Sequence, residues 1–209
     1  MNHFKIYPND YLSEETLGFY HSDYHSGDDE RRNTVGTVEN IICTLKNQFK
    51  EKTFGVLNQA ENSLIQILTI DLPEILKLSR KENLTICVIP RAKANNSYTS
   101  SQLHFKKAIR RSIHTLDGFN DGTDYIVRHT NTRTTHMDRS GYGGDGALPY
   151  EGITKETCTI SDEVIGKDIL LIDDLYTKTI DIDEDAIQAL LDKGANSVIF
   201  YALGKTMHD

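Results

Sequence analysis

The chain reads as an α/β protein built on a doubly wound, mostly parallel sheet. Short continuous apolar runs at 84–89 and 169–172 are bounded by Pro or polar residues, the pattern of strands buried on both faces. Segments with apolar residues at helical spacing alternate with these runs, which implies right-handed crossovers between parallel strands. No fixed-period repeat is visible, which argues against a solenoid or a propeller. At 209 residues without a Pro/Gly/Ser-rich linker, one domain is expected. Within it, residues 1–83 form an N-terminal helical or hood elaboration and residues 84–209 the α/β core.

The elements follow in order. Residues 1–33 mix aromatics and acids without a period, and no element is placed there. Val35, Val38, Ile41, Ile42, Leu45 and Phe49 recur at helical spacing, and Leu57, Leu64, Ile67 and Leu68 predict a second helix that Pro73 breaks or restarts. Residues 84–89 are the first central strand, stopped by Pro90. Leu103, Ile109, Ile113 and Leu116 mark a helix, and residues 124–127 a further strand. Residues 129–155, with Gly141, Gly143, Gly144, Gly146 and Pro149, read as a long loop, of the length that marks functional lids or disordered segments. Residues 169–172 are a strand, 182–191 a helix and 197–203 a final strand after Gly194.

Composition narrows the function classes. Thirty-one acids against 23 Lys and Arg give a formal charge of -8, which argues against diffuse binding to nucleic acid. Lys106, Lys107, Arg110 and Arg111 form a local basic helix face, for which a solvated surface is the simplest account. No apolar run reaches the length of a membrane span and Met1 to Lys5 carry no apolar signal segment, so a cytoplasmic protein is expected. Cys43, Cys87 and Cys158 are scattered without a C-x-x-C pair, which favours reduced thiols. His21 and His25, four apart with Asp23 between them, have a spacing that ligates metal on a helix, although no Cys or Glu completes a set.

The most informative stretch is Ile169-Leu170-Leu171-Ile172-Asp173-Asp174, four apolar residues ending in a carboxylate pair. Ligands of open α/β sheets bind at the carboxyl ends of the strands, where this run places Asp173 and Asp174. Two adjacent carboxylates there require cationic or hydroxyl-rich company. No G-x-x-x-x-G-K-[ST] loop occurs, which excludes a P-loop ATPase, and only one strand follows, which excludes a receiver-type phosphoacceptor. What is left is an acid pair joined to a polar turn and a helix N-terminus, suited to ribose hydroxyls beside a phosphate.

At these residues the chain resembles the type I phosphoribosyltransferases. Their signature is four apolar residues, two acids and a Thr/Gly-rich turn for the 5-phosphate of phosphoribosyl pyrophosphate (PRPP). Residues 190–195 and the stretch Val88-Ile89-Pro90-Arg91-Ala92-Lys93 are also similar to that family, the latter to its pyrophosphate loop. The competence-associated ComF-like branch is nearest, without its cysteine zinc module. The resemblance covers roughly residues 84–206 and is specific at the acid motif. It implies a phosphoribosyltransferase-like sheet with a lid or hood, and transfer of ribosyl phosphate from PRPP to a nitrogen nucleophile of unread identity. Asp173 and Asp174 would hold the ribose hydroxyls and meet Mg2+ indirectly, through ribose or water. Thr177, Lys178, Thr179 and Asp181 would form the 5-phosphate turn, and Arg91 and Lys93 would neutralise pyrophosphate. Arg128, Arg133, Thr134 and His136 would contact pyrophosphate or acceptor from the lid, with Tyr142 and Tyr150 stacking on a base.

The turn departs from the family, which carries Gly at the position of Thr179 and Thr or Ser at that of Asp181. A Cβ at Thr179 penalises a left-handed conformation and Asp181 repels phosphate. Asp181 and Glu184 also have capping-box spacing, so a self-capped helix is the competing account of this turn. Two alternative functions follow. One is a non-catalytic protein of the same fold that binds a protein partner in a competence or defence setting. The other is a ribosyl transferase or glycohydrolase effector acting on nucleosides or NAD. Homo-oligomers are compatible with all three.

Overall fold

The computed structural model describes residues 1–48, 51–132 and 152–207. Its centre is a six-stranded sheet in the order β1-β2-β8-β7-β3-β4: Asn2–Ile6 (β1), Thr16–Tyr24 (β2), Leu84–Val88 (β3), Phe119–Asp121 (β4), Asp168–Tyr176 (β7) and Ser197–Thr206 (β8). All neighbours are parallel except β1 against β2. Ile126–Arg128 (β5) and Cys158–Ile160 (β6) form a separate antiparallel ribbon.

The strands are buried on both faces, as their uninterrupted apolar runs predict. On one face Ile86, Val88, Leu170, Ile172, Ile199 and Tyr201 join the helices Val38–Lys46 (α2), Phe54–Ser79 (α3) and His104–Ile113 (α4). On the other, Cys87, Leu171, Phe200 and Ala202 join the helix Ile182–Asp192 (α5) and residues of the β5–β6 ribbon. A short helix, Asp29–Asn33 (α1), precedes α2. All three cysteines are unpaired, Cys43 exposed and the other two buried. Among the described residues no helix is long and apolar enough to cross a membrane.

Several elements differ from expectation. Residues 2–24, where no element was expected, supply two strands: β2 pairs in parallel with β8, so the N-terminal region extends the sheet as well as adding helices. Pro73 neither breaks nor restarts α3, which runs unbroken for 26 residues. Thr69, whose carbonyl a proline at 73 leaves without its helical donor, is exposed and solvated, while Leu64, Leu68, Leu72 and Ile75 hold the inner face in the core. The strands near the acid pair are longer than predicted. β7 continues through Asp173 and Asp174 to Tyr176, and β8 to Thr206, because β8 and β2 supply partners beyond the apolar runs.

Candidate active site

The sheet order reverses at β3. From β3 the chain passes to β4 on one side and then to β7 on the other, so a crevice opens between the carboxyl ends of β3 and β7. Pairing between the two ends at Val88 with Ile172, closed by the Ile89 N–H donating to the Ile172 carbonyl at 3.0 Å. The next residues of β7 are Asp173 and Asp174. The acid pair therefore lies inside a strand, at the point where its neighbour leaves it, rather than at the strand's own end.

The two acids have different company. Asp174 meets the ammonium of Lys46, the last residue of α2, at 2.9 Å, and its backbone N–H donates to Asp173 Oδ1 at 2.7 Å. Burial alone would lower the Lys46 pKa, but the charge and hydrogen bond of Asp174, with the charge of Asp173, outweigh it and hold it high. Asp173 instead hydrogen-bonds Asp183 in the first turn of α5. Burial, and next the charge of Asp174, push Asp173 up to about 7 against the opposing pull of Lys46. Asp183 is only 2 % exposed, and burial, with the charges of Asp173 and Glu184, raises it well above the carboxylate range. Two carboxyls bonded to each other share a proton, as in other carboxylate dyads.

Beyond Asp183, Glu184 Oε1 accepts the Tyr176 hydroxyl at 2.8 Å. Burial dominates the upward shift of the Glu184 carboxyl. Asp183 Oδ1, Glu184 Oε2 and Thr177 Oγ1 are buried without a hydrogen-bond partner among the described residues. Groups of this kind in a native interior point to a ligand, an ion or water. Among the described residues no three His, Cys, Asp or Glu converge to hold a metal ion.

The turn 177–181 is built differently from either expectation. Its hydrogen bond runs from the Ile180 N–H to the Thr177 carbonyl at 2.9 Å. Thr179 is exposed, and among the described non-glycine residues only Asn47 and Arg80 have positive φ, so the Cβ of Thr179 carries no penalty. Asp181 occupies the N-cap position of α5 but makes no side-chain cap bond, which removes the self-capped account. Its Oδ1 accepts from Asn9 Nδ2 at 3.0 Å, tying the turn to the N-terminal segment. Lys178 is exposed.

Across the crevice, Arg91 is held rather than free. Its Nη1 donates to the Lys46 carbonyl at 3.0 Å and the Gln102 carbonyl at 2.9 Å, and its guanidinium lies 4.4 Å from the centre of the Tyr98 ring. The Lys93 N–H donates to the Tyr98 hydroxyl at 2.9 Å. Arg128, at 1 % exposure, lies beneath this loop and donates from Nε to the Arg91 carbonyl at 2.9 Å, so it supports the loop from within. Thr132 anchors the same loop through its N–H to the Ala92 carbonyl at 2.8 Å. Arg133, Thr134, His136, Tyr142 and Tyr150 lie outside the described residues. Where the chain re-enters, Gly152 has φ +78° and a Cβ there would collide with the Asp185 carboxylate, so only glycine fits.

Two other constellations are absorbed by structure. His21 lies on strand β2, not on a helix, and its Nδ1 faces Asp71 at 2.9 Å, where the Tyr201 hydroxyl also donates at 2.8 Å; His25 is beyond the strand, its N–H bonded to Glu39. The metal-ligating arrangement is therefore not formed. The basic face of α4 is paired: Arg111 and Lys107 meet the buried Glu61, while Lys106 and Arg110 meet Asp124.

Sequence reasoning brought Asp173, Asp174 and the Arg91 loop to one crevice, and missed Lys46, Asp183 and Asn9. Asp183 left a signal, ten residues after Asp173 in a first turn with more acids than the helix dipole needs. Lys46 left none, because only the packing of α2 over the sheet brings it to Asp174. Comparison with models of protein families returned no match to this chain, and comparison with curated proteins returned none either.

Proposed function

We propose that this chain is a phosphoribosyltransferase-type enzyme that binds PRPP with magnesium and transfers ribosyl phosphate to a nitrogen nucleophile. The observation that carries this reading is the acid pair at the sheet's reversal point, facing a crevice whose other wall is the Arg91 loop. Ribosyl transfer passes through an oxocarbenium-like state, with positive charge growing on the sugar while a phosphate leaves. Asp173 and Asp174 would accept from the ribose hydroxyls and offset that charge, with Lys46 fixing Asp174 in place.

Magnesium would neutralise the departing pyrophosphate. The described residues lack a cage of three ligands, and the Lys46 ammonium already meets Asp174. They fit an ion carried in by the donor and met by Asp173 and Asp174 through water, since Mg2+ keeps several waters.

One observation favours a second reading. Asp181, Asp183 and Glu184 surround the start of α5, and two of them are buried. A 5-phosphate at that turn would meet three acids and the exposed Lys178 as its neighbouring cation. A donor without a terminal 5-phosphate, a nucleoside or the bridged dinucleotide NAD, would instead bring hydroxyls to the unpartnered oxygens of Asp183, Glu184 and Thr177. Following base release from NAD and nucleosides, alongside pyrophosphate release from PRPP, separates the two. Pyrophosphate release supports the first reading and base release without it the second. A folded protein that releases neither product refutes both.

A further inference from the structure

The strap between β1 and β2 is fixed to α5 at two points. Asn9 Nδ2 donates to Asp181 Oδ1 at 3.0 Å, at the N-cap of α5. Farther along the helix, Gln188 Oε1 accepts from the Ser13 hydroxyl at 2.8 Å and the Ser13 N–H at 2.9 Å. Between these points Leu12, 1 % exposed, joins the core with Ala186, Ile187 and Leu190 of α5. Asn9 also shapes the strap itself. Its Oδ1 accepts the N–H groups of Tyr11 and Leu12 at 2.8 and 2.9 Å, the local turn that short polar side chains form. Those two donors fix which amide atom is the oxygen, so the nitrogen is the atom that meets Asp181.

The contact with Asp181 changes the start of α5. An N-cap carboxylate or hydroxyl ordinarily accepts from the N–H two or three residues on, as Asp28 does from Arg31 in α1 and Thr37 from Asn40 in α2. Asp181 does not. Its ψ is 26°, against 97° and 153° at those two capped ends, and its carboxylate meets Asn9 instead. The Asp183 N–H, at the second helical position, donates to nothing among the described residues, and neither do the N–H groups of Lys178 and Thr179 in the turn before it. Thr177, which opens that turn, is 7 % exposed, and its Oγ1 has no hydrogen-bond partner among the described residues. Free N–H groups at a helix start, with a buried and unpartnered hydroxyl in the same turn, point to a ligand that brings anionic oxygens.

We propose that Asn9 is a positioning residue for a phosphate at this turn: it draws the Asp181 carboxylate off the start of α5 and leaves the free N–H groups to the ligand. For the phosphate the proposal rests on the ribosyl reading above; for the state of the α5 cap it does not. Of the three acids that a 5-phosphate would meet there, Asp181 is the least buried. Engaged by an amide, its carboxylate does not compete for the N–H groups that a phosphate needs. Released, it would occupy those groups, favoured by the helix dipole, or stand against the phosphate as a like charge.

The test titrates the full chain with ribose 5-phosphate, with ribose as the control that lacks the phosphate, and follows amide hydrogen exchange alongside. The wild type should bind ribose 5-phosphate more tightly than ribose. Asn9→Asp, at an exposed position, keeps the acceptor for Tyr11 and Leu12 but sets a carboxylate against Asp181. It should weaken ribose 5-phosphate about tenfold and leave ribose unchanged. Adding Asp181→Asn to Asn9→Asp rebuilds the amide–carboxylate bond with the partners exchanged, and should return the affinity to the wild-type level or above. Neither a merely structural role for Asn9 nor the added charge at position 9 would give that recovery. In Asn9→Ala the released carboxylate caps α5, so the Asp183 N–H should exchange more slowly, and adding Asp181→Ala should cancel the change. With ribose 5-phosphate still preferred over ribose, wild-type affinity in Asn9→Asp, no recovery in the exchanged pair, or unchanged exchange in Asn9→Ala would overturn the proposal alone. A wild type and an Asp181→Asn protein that both bind the two sugars equally would overturn the phosphate of the ribosyl reading, and the proposal with it.

Discussion

Replacing Asp183 by Asn tests the shared-proton pair beneath the acid site. In the folded chain Asp183 keeps its proton well above 3.8, the value at which the unfolded chain releases it. Between pH 5 and pH 7 the unfolded chain has released this proton, while the folded chain holds more of it. Stability then falls as pH rises, with a limiting slope of about 1.4 kcal/mol per pH unit for one retained proton. The substitution removes this titration from both states, while the new amide still donates to Asp173. The variant should gain on the wild type as pH rises from 5 to 7, by at most about 1.4 kcal/mol per pH unit, which at this chain length is roughly 3–6 °C per unit in melting temperature. Urea and thermal unfolding at half-unit pH steps read this directly. Parallel stability curves across the interval, or a variant that loses ground as pH rises, would refute a retained proton at Asp183.

Three further outcomes follow from the same structure. Lys46→Met keeps the aliphatic stem of the side chain but leaves Asp174 without its ammonium; with the pair 28 % and 16 % exposed, it should cost about 1–2 kcal/mol in urea unfolding, with a coupling of similar size to Asp174→Asn in a double-mutant cycle. Glu61 is buried, a condition that would raise its carboxyl, but hydrogen bonds from His104 and Arg111 and the charge of Lys107 outweigh burial and hold it low. Glu61→Gln should cost about 2–3 kcal/mol at pH 7, and the difference should shrink as pH falls below about 4.5, where the wild type loses the stability that its ionised carboxylate supplies. Pro73→Ala restores an N–H to the interior of α3 and should stabilise the protein by about 1–3 kcal/mol, seen as a higher thermal midpoint.

What the sequence disclosed follows the range of the forces involved. The central strands β3, β7 and β8 were legible because double-sided burial demands unbroken apolar runs, and the helices because their inner faces repeat at helical spacing. Pro73 misled because a local propensity of a few kcal/mol yields to a core stripe of Leu64, Leu68, Leu72 and Ile75. β1 and β2 were missed because β2 alternates poorly: Tyr20, His21, Ser22 and Asp23 are all half-buried and hold their place by pairing with β8. At the site, the acid pair announced itself through its position after an apolar run. Its partners did not, since Lys46, Asp183 and Asn9 reach it from three separate segments that only the tertiary fold brings together. The Cβ of Thr179 looked prohibitive only on the assumption of a left-handed turn, which this chain does not form.

The central claim is that Asp173 and Asp174 receive a ribosyl donor. Isothermal titration of the folded wild type and of the Asp173→Asn, Asp174→Asn protein with PRPP and magnesium, repeated with NAD and with a nucleoside, tests it most directly. The account predicts saturable binding of at least one of these donors to the wild type and a loss of at least tenfold in the variant. No heat of binding with any donor, or binding that the two substitutions leave unchanged, would contradict it.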